Sequence, residues 1–471
     1  MVSESSKNMA LNPQAKSFLQ ALFRKFEDEN IKYCVLHSYE KILDEPVGDI
    51  DFAIDYNGLI NLWNIIDELS HLNGLIPVQK TYHDVPFAHK FIIYIPSDKD
   101  QVLALDFVHD EKGINACLFN TNEILYNRIK YNGLYYISAK THEFIYYLIK
   151  KIHKGYVEKN KIEHLKNLYL DNQANCQEIL IKYFGERNSQ LLVKILLQDI
   201  KEPSEIKYIF NKLKKSLWLR QFILNPQKGI IWSFLSGKRI SHRTIHPQGL
   251  SISFISPDGG GKTTLAEEIT HAIGWAFDGR IQRLHWRPGL LPFPYRLLKP
   301  KEWKEPEPVK TDPHGGPAQS GFLSLCRFLY YTADYLLGFV PKILWPKIRF
   351  NLVILDRYYY DFLIDRRRFN LNIPEILPRL FLPLIPKPDM VFLLTGDPGE
   401  IYQRKKELPL EEIERQIIDI KKLARKLPNA YEINASQPLE KVVEEVKEII
   451  INYLADRLRR REEEKSWWML G

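Results

Sequence analysis

The chain has 471 residues, 45% hydrophobic and 26% charged, which is enough apolar material for two or three domains and too much for a disordered chain. Its net charge of +8 is mild for this length. It suits an anionic small molecule, and no stripe of basic and aromatic residues suggests a nucleic-acid partner. The four cysteines, Cys34, Cys117, Cys176 and Cys326, include no C-x-x-C pair, so neither a zinc site nor a disulfide framework is indicated. A reducing cytoplasm is the expected home.

The opening stretch "MVSESSKNMALNPQAK" lacks the apolar core of a signal peptide. From about residue 14 to 135, strand and helix signals mix. "KSFLQALFRKFEDENI" has helical periodicity, and "YCVLH", "DIDFAID", "KFIIYIP" and "VLALDFVH" read as short strands. In "VGDIDFAID", Asp49 and Asp51 stand two apart, so on a strand both carboxylates share one face and can share a divalent metal. Asp106 ends a second β-like run and is a third carboxylate for that set. Residues 138–235 turn helical, and the polar, basic stretch 236–249 reads as a linker.

Beyond residue 250, strands alternate with helices, the pattern of a parallel sheet. The apolar run "LSISFI" leads into "SPDGGGKTT" and then a helical stretch. Strand, glycine-rich turn and helix are what a phosphate-cradling loop requires. Gly259, Gly260 and Gly261 supply the flexibility, Lys262 reaches for β- and γ-phosphates, and Thr263 offers a hydroxyl to Mg²⁺. Ser256 stands where the pattern has its first glycine, a minor departure if its φ is negative. In "NLVILDRYYYD", a strand ends in Asp356 and Arg357, a carboxylate for Mg²⁺ and a guanidinium for phosphate. "DRRRF", Asp365 to Phe369, offers its three arginines, Arg366, Arg367 and Arg368, as a second anion clamp or as a solvated loop. The Pro-rich, charged stretch 301–320 reads as a mobile loop. The greasy segment from Gly321 reads as a buried helix ending at Pro341; Arg327 and Asp334 interrupt it, and no membrane span is expected.

On these motifs, residues 250–452 resemble the thymidylate kinase family of P-loop nucleoside monophosphate kinases, a likeness extended by "NAYEINASQPLEKVVEEV" with Asn434 where the family usually has Asp. The resemblance implies ATP and Mg²⁺ as cofactors, a phosphorylated small-molecule acceptor and transfer of a γ-phosphoryl group. It puts Ser256, Gly259, Gly260, Gly261, Lys262, Thr263 and Thr264 on the nucleotide, Arg404, Lys405 and Lys406 in a short lid over the phosphates, and Asp258 facing the acceptor. Tyr358 joins Arg366 and Arg367 on the substrate side. The acceptor side departs from the family. "HWRPG" replaces Arg-Glu-Pro-Gly, which shifts Arg287 and adds His285; Ala333-Asp334-Tyr335 replaces Ala-Asp-Arg, which removes an arginine. The acceptor is therefore expected not to be dTMP. Several stretches are more similar to thymidylate-kinase-like proteins associated with bacterial surface-glycan (polysaccharide) synthesis, so a sugar or sugar-phosphate acceptor stays open. So do a homodimer and a nucleotide-binding regulatory protein without turnover.

The N-terminal acids resemble the catalytic triad of the nucleotidyltransferase superfamily, with His37-Ser38 where the superfamily has Gly-Ser. The expected fold is α/β: a nucleotidyltransferase-like α+β domain (1–137), a helical region (138–235), the linker (236–249) and a P-loop, doubly wound parallel-sheet domain (250–471).

Overall fold

Asn12 accepts a hydrogen bond from the backbone of Gln14 and so starts α1 (Pro13–Asp28), whose buried face carries Phe18, Leu19, Leu22, Phe23 and Phe26. The computed structural model describes residues 10–46, 48–82, 88–98, 101–109, 121–155, 159–197, 203–224, 237, 240–292 and 320–464. The N-terminal tip, Cys117, part of the linker and nearly all of the loop 301–320 lie outside the described residues. The chain divides into two compact units. One is Ser241–Tyr453; the other is Val2–Ile240 together with Leu454–Gly471. The divide falls inside the expected linker, where residues 240–245 are helical. The final stretch of chain, expected with the P-loop domain, groups with the N-terminal unit instead.

In that N-terminal unit, β1 (Tyr33–Val35), β2 (Asp49–Ile54), β3 (Ile76–Tyr82), β4 (Ala88–Tyr94), β5 (Val102–Val108), β6 (Ile129–Tyr131) and β7 (Tyr135–Ile137) form one sheet in the order β3-β4-β5-β2-β1-β7-β6. β2 pairs with β5 and β1 with β7 in parallel; the other pairs are antiparallel. The sequence reading does not include β3, which contains Pro77. The structure places that proline at a register shift of an edge strand, where a missing N–H is tolerated. α1 and α2 (Tyr56–Leu72) border a core in which Phe52 and Phe107 stack at 4.6 Å between ring centres. After α3 (Thr121–Tyr126) come α4 (Lys140–Lys154), α5 (Lys159–Asp171), α6 (Gln173–Phe184), α7 (Glu186–Leu197) and α8 (Pro203–Leu224), which share a second core around Phe144, Leu148, Leu180, Leu192 and Phe210.

The other unit runs β8 (Leu250–Ile255), α9 (Lys262–Ile273), β9 (Ile281–His285), α10 (Gly321–Phe339), α11 (Trp345–Ile348), β10 (Leu352–Asp356), α12 (Asp361–Ile364), α13 (Ile376–Phe381), β11 (Met390–Thr395), α14 (Pro398–Arg404), α15 (Leu410–Ala424), β12 (Ala430–Asn434) and α16 (Leu439–Glu464). Its strands are all parallel, in the order β12-β11-β8-β10-β9. β8, β10 and β11 are buried along their whole length, which explains their near-continuous Ile, Leu, Val and Phe. From β8 the chain builds outward in both directions, so the switch point that creates a crevice lies at its carboxyl end.

α10 differs from expectation twice. Only one face is buried, through Phe328, Tyr331, Thr332, Asp334 and Tyr335, while Phe322, Leu329, Leu336 and Leu337 on other faces are exposed. Nor does Pro341 end it: a π-helical turn, Val340–Leu344, carries the chain on into α11, its wider bonding pattern accommodating the missing N–H. Among the described residues no helix is long and apolar enough to cross a membrane. Cys34, Cys176 and Cys326 are free thiols.

Candidate active site

The chain leaves β8 at Ser256 and turns through backbone conformations that few side chains adopt, with φ +86° at Gly259 and +83° at Gly261. A Cβ on Gly259 would also lie 2.9 Å from the carbonyl oxygen of Ile401. α9 starts at Lys262, so its first unpaired N–H groups and the positive end of its dipole belong to this loop. The cavity here, of about 700 Å³, is lined by the loop residues Asp258 to Thr264 and by His285, Asp356, Arg357, Arg368, Arg404 and Lys405.

Lys262 is folded back on its own loop. Its ammonium donates to the Ser256 carbonyl and hydroxyl at 3.1 Å each and to the Pro257 carbonyl at 3.0 Å. Burial, helped by the neighbouring Arg357 guanidinium, pushes its pKa down to about 7. Ser256 is buried and does not line the cavity; it holds the lysine. The Thr263 hydroxyl donates to the Asp356 carboxylate at 3.2 Å, and His285 Nδ1 lies 3.5 Å from the same oxygen. Burial alone would raise Asp356, but the hydrogen bond from His285 and the charge of Lys262 bring it below its ordinary value. A hydroxyl beside a carboxylate on a cavity wall is a hard, all-oxygen donor set, and it fits Mg²⁺.

Asp258 sits among cations. Arg357 donates to one of its oxygens and Arg368 to the other, and Lys262 lies 3.8 Å away. Burial works against its charge, yet Arg357, Lys262 and Arg368 together pull its pKa down to about 2. Arg357 is also bound to Asp361 at 3.1 Å, within the turn after β10. Arg404 spans from the lid to the Ala435 carbonyl at 3.0 Å, and Lys405 pairs with Glu407 at 2.9 Å.

Several expected substrate contacts lie elsewhere. Arg287 is 5% exposed and does not line the cavity. It is bound to Asp334 at 2.8 Å and to the Leu291 carbonyl at 2.8 Å. Asp334 is wholly buried and also accepts from the backbone of Gly289 and Leu291, so the pair shapes the turn after β9. Tyr358 is core: it is buried, and its hydroxyl donates to the Pro386 carbonyl. Arg366, paired with Glu375 at 3.0 Å, and the exposed Arg367 line a different cavity, of about 790 Å³. Of the three arginines in "DRRRF" that the sequence offers as a clamp, the one on the loop cavity is Arg368, not the Arg366 and Arg367 expected on the substrate. The signal was there: successive side chains in a 3₁₀ turn point about 120° apart, so three neighbouring arginines cannot share one target.

In the N-terminal unit the three acids do come together. Asp51 stands opposite Asp106 across the β2–β5 pair, and Asp49 starts the same strand. Two of them already have cationic partners. Asp51 accepts from Lys150 and His37, both at 2.5 Å, and is held well below the usual carboxylate range because these partners outweigh its burial. Asp49 pairs with Lys90 at 3.0 Å. Among the described residues no group of three or more His, Cys, Asp or Glu side chains could hold a metal ion. As arranged, this acid set does not fit a divalent cation.

No family model and no curated protein matches the chain. Solved structures do match. One is a thymidylate kinase from Ehrlichia chaffeensis, 21% identical, aligned over 43% of this chain and 98% of that one with a TM-score of 0.30. At that level the likeness adds nothing to the geometry described above.

Proposed function

We propose that the unit Ser241–Tyr453 is an ATP- and Mg²⁺-dependent phosphotransferase whose acceptor is a phosphorylated small molecule other than dTMP. The observation that carries this is the glycine loop between β8 and α9, with Lys262 and Thr263 at its helix start and Asp356 and Arg357 beside them on the cavity wall. Thr263 and Asp356 would hold the Mg²⁺, which supplies charge neutralisation on the nucleotide phosphates. Lys262 exchanges the Ser256 and Pro257 carbonyls for phosphate oxygens, and Arg404 and Lys405 cover them from the lid. An anionic acceptor oxygen then forms a bond to the γ-phosphorus as the bond from that phosphorus to the β–γ bridging oxygen breaks, the electron pair leaving with ADP. Both oxygens of Asp258 are engaged by guanidiniums, so it is poorly placed to deprotonate a hydroxyl, and an acceptor that is already anionic needs no such base. dTMP is disfavoured because Arg287 is sequestered by Asp334, and Tyr335, also buried, replaces an arginine.

A sugar phosphate is the second reading. The 790 Å³ cavity favours it, since Arg366, Asn370, Asn372, Glu375 and Arg415 offer the mixed donors and acceptors that suit hydroxyls. For the N-terminal unit, what supports a nucleotidyltransferase-like reading is the placement of acids on β2 and β5. The lysines on those acids speak against metal-dependent turnover there.

The test is ATP binding with Mg²⁺, followed by acceptor-dependent ADP release with dTMP, other nucleoside monophosphates and hexose phosphates. Failure to bind ATP would refute the phosphotransferase. ATP binding without ADP release from any acceptor would leave a nucleotide-binding regulatory protein.

A further inference from the structure

We propose that Arg368, acting with Arg357, grips the anionic end of the acceptor, and that Asp258 holds this guanidinium pair in the acceptor's place until it arrives. The inference rests on the phosphotransferase reading and deepens it by naming which arginine of "DRRRF" meets the acceptor.

The two arginines reach the same carboxylate from different elements. Arg357 comes from the turn after β10, and Arg368 from the short 3₁₀ turn Arg367–Phe369. One carboxylate with a guanidinium on each oxygen presents the arrangement that an oxyanion such as a phosphate group would require of the same two arginines. The site is open enough for the exchange. Arg368 is 25% exposed along its side chain, and both arginines line the cavity that also holds Lys262 and Thr263.

The backbone that delivers Arg368 is braced. Its N–H donates to the buried Asp365 carboxylate at 3.2 Å, and Asp365 is itself tied to the Asp361 carbonyl at 2.7 Å. On its other side, Phe369 stacks on Trp286 at 4.6 Å between ring centres and 13° between planes, and the Phe369 carbonyl accepts from Arg327. A charged side chain on an anchored turn, facing a phosphate loop, is how a preorganised anion contact is built. It also answers a deficit. Arg287 is spent on Asp334 and no arginine stands at Tyr335, so Arg357 would otherwise meet the acceptor alone.

A plain structural ion pair is the competing account, and the two ends of the pair separate it from ours. If Asp258 and the acceptor compete for Arg368, removing the arginine weakens anion binding and removing the aspartate strengthens it. A structural pair would damage the site from either end. The experiment uses the full chain, with inorganic phosphate as the probe, titrated calorimetrically with and without saturating ADP and Mg²⁺. ADP affinity is measured separately with a fluorescent analogue. Arg368→Gln should weaken phosphate by about tenfold or more, the loss of a charged hydrogen bond, with ADP affinity within about twofold of wild type. Asp258→Asn should tighten phosphate by about threefold or more, since its charged competitor is gone. Phosphate binding unchanged in Arg368→Gln, weakened in both variants, or absent from the wild type would overturn the proposal, as would an equal loss of ADP and phosphate. If the wild type binds phosphate with these opposite shifts but no ADP, the arginine pair stands and the phosphotransferase reading fails.

Discussion

If the loop binds a nucleotide as proposed, Lys262 makes that binding a proton-linked event. In the loop its pKa falls from 10.5 to about 7, because burial removes its water and Arg357 adds a like charge. Near pH 8, about 90% of this side chain is then neutral. Phosphate oxygens require the ammonium and restore a pKa near the ordinary value, so binding at about pH 8 should take up about 0.9 proton. The sign follows directly. Below about pH 7 the lysine is charged in both states and there is no linkage. Above it, affinity approaches a tenfold fall per pH unit, or about 2.3 kcal/mol in all between pH 7 and 9. The stability of the free protein moves the other way over this window. Its folded state binds fewer protons than its unfolded state between the two pKa values, so stability rises with pH there. The assay is calorimetric titration of ADP with Mg²⁺ in buffers of different ionisation enthalpy, for the wild type and for Lys262→Arg, which keeps its charge. No buffer dependence near pH 8 would refute the reasoning. So would an equal proton uptake in the arginine variant, which would move the titrating group to His285 or to the nucleotide.

Lys262→Ala should lower phosphoryl transfer by about 100-fold or more while leaving the thermal unfolding profile of the unit intact, since it deletes one preorganised donor. dTMP should be a poor acceptor, and turnover with it at about 1–100 per second would show that the altered acceptor side does not matter. Ending the chain after Tyr453 removes Glu462, a buried partner of Lys80 at 2.6 Å, together with Arg457, which donates to Gln79. The N-terminal unit should lose about 3–5 kcal/mol, read by urea unfolding, and unchanged stability would detach the last helical turns from it. Lys150→Ala should open Asp51 to a cation and tighten Mn²⁺ binding by about tenfold or more in spin-resonance titrations. Equal binding in the wild type would show that the ammonium does not compete for that carboxylate.

What could be read from the sequence is what depends on neighbours in the chain. A phosphate-type loop is a contiguous event: buried strand, positive-φ glycines, helix start. Its place between β8 and α9 was therefore legible, as were most strands and the parallel sheet of this unit. β3, with Pro77 inside it, was not among the strands read from the sequence, and only the sheet order reveals that this proline sits on an edge. α10 reads as greasy apart from Arg327 and Asp334, yet which of its faces would be covered depends on what packs there, and composition does not encode that.

Charge pairing was the least legible property, and it decides the chemistry. Asp258 meets Arg357 and Arg368 across 99 and 110 residues, and Asp51 meets Lys150 across 99. A motif gives the acids but not the cations that answer them. The two units illustrate opposite results of the same rule. In the N-terminal unit Lys150 and His37 sit on one oxygen of Asp51, and Lys90 sits on Asp49, so these two acids have cationic partners within the protein. In the loop unit the surplus runs the other way: Lys262, Arg357 and Arg368 converge on Asp258, a single carboxylate in the phosphate loop, beside a cavity with Arg404 and Lys405 on its wall. Asp258 alone answers Arg368 and Lys262, while Arg357 also binds Asp361, so the phosphate ligands of the proposed function would meet cations that the loop's own carboxylate only partly answers. The same electrostatic account supports the proposed anionic chemistry in the loop unit and leaves Asp49 and Asp51 of the other unit paired with cations.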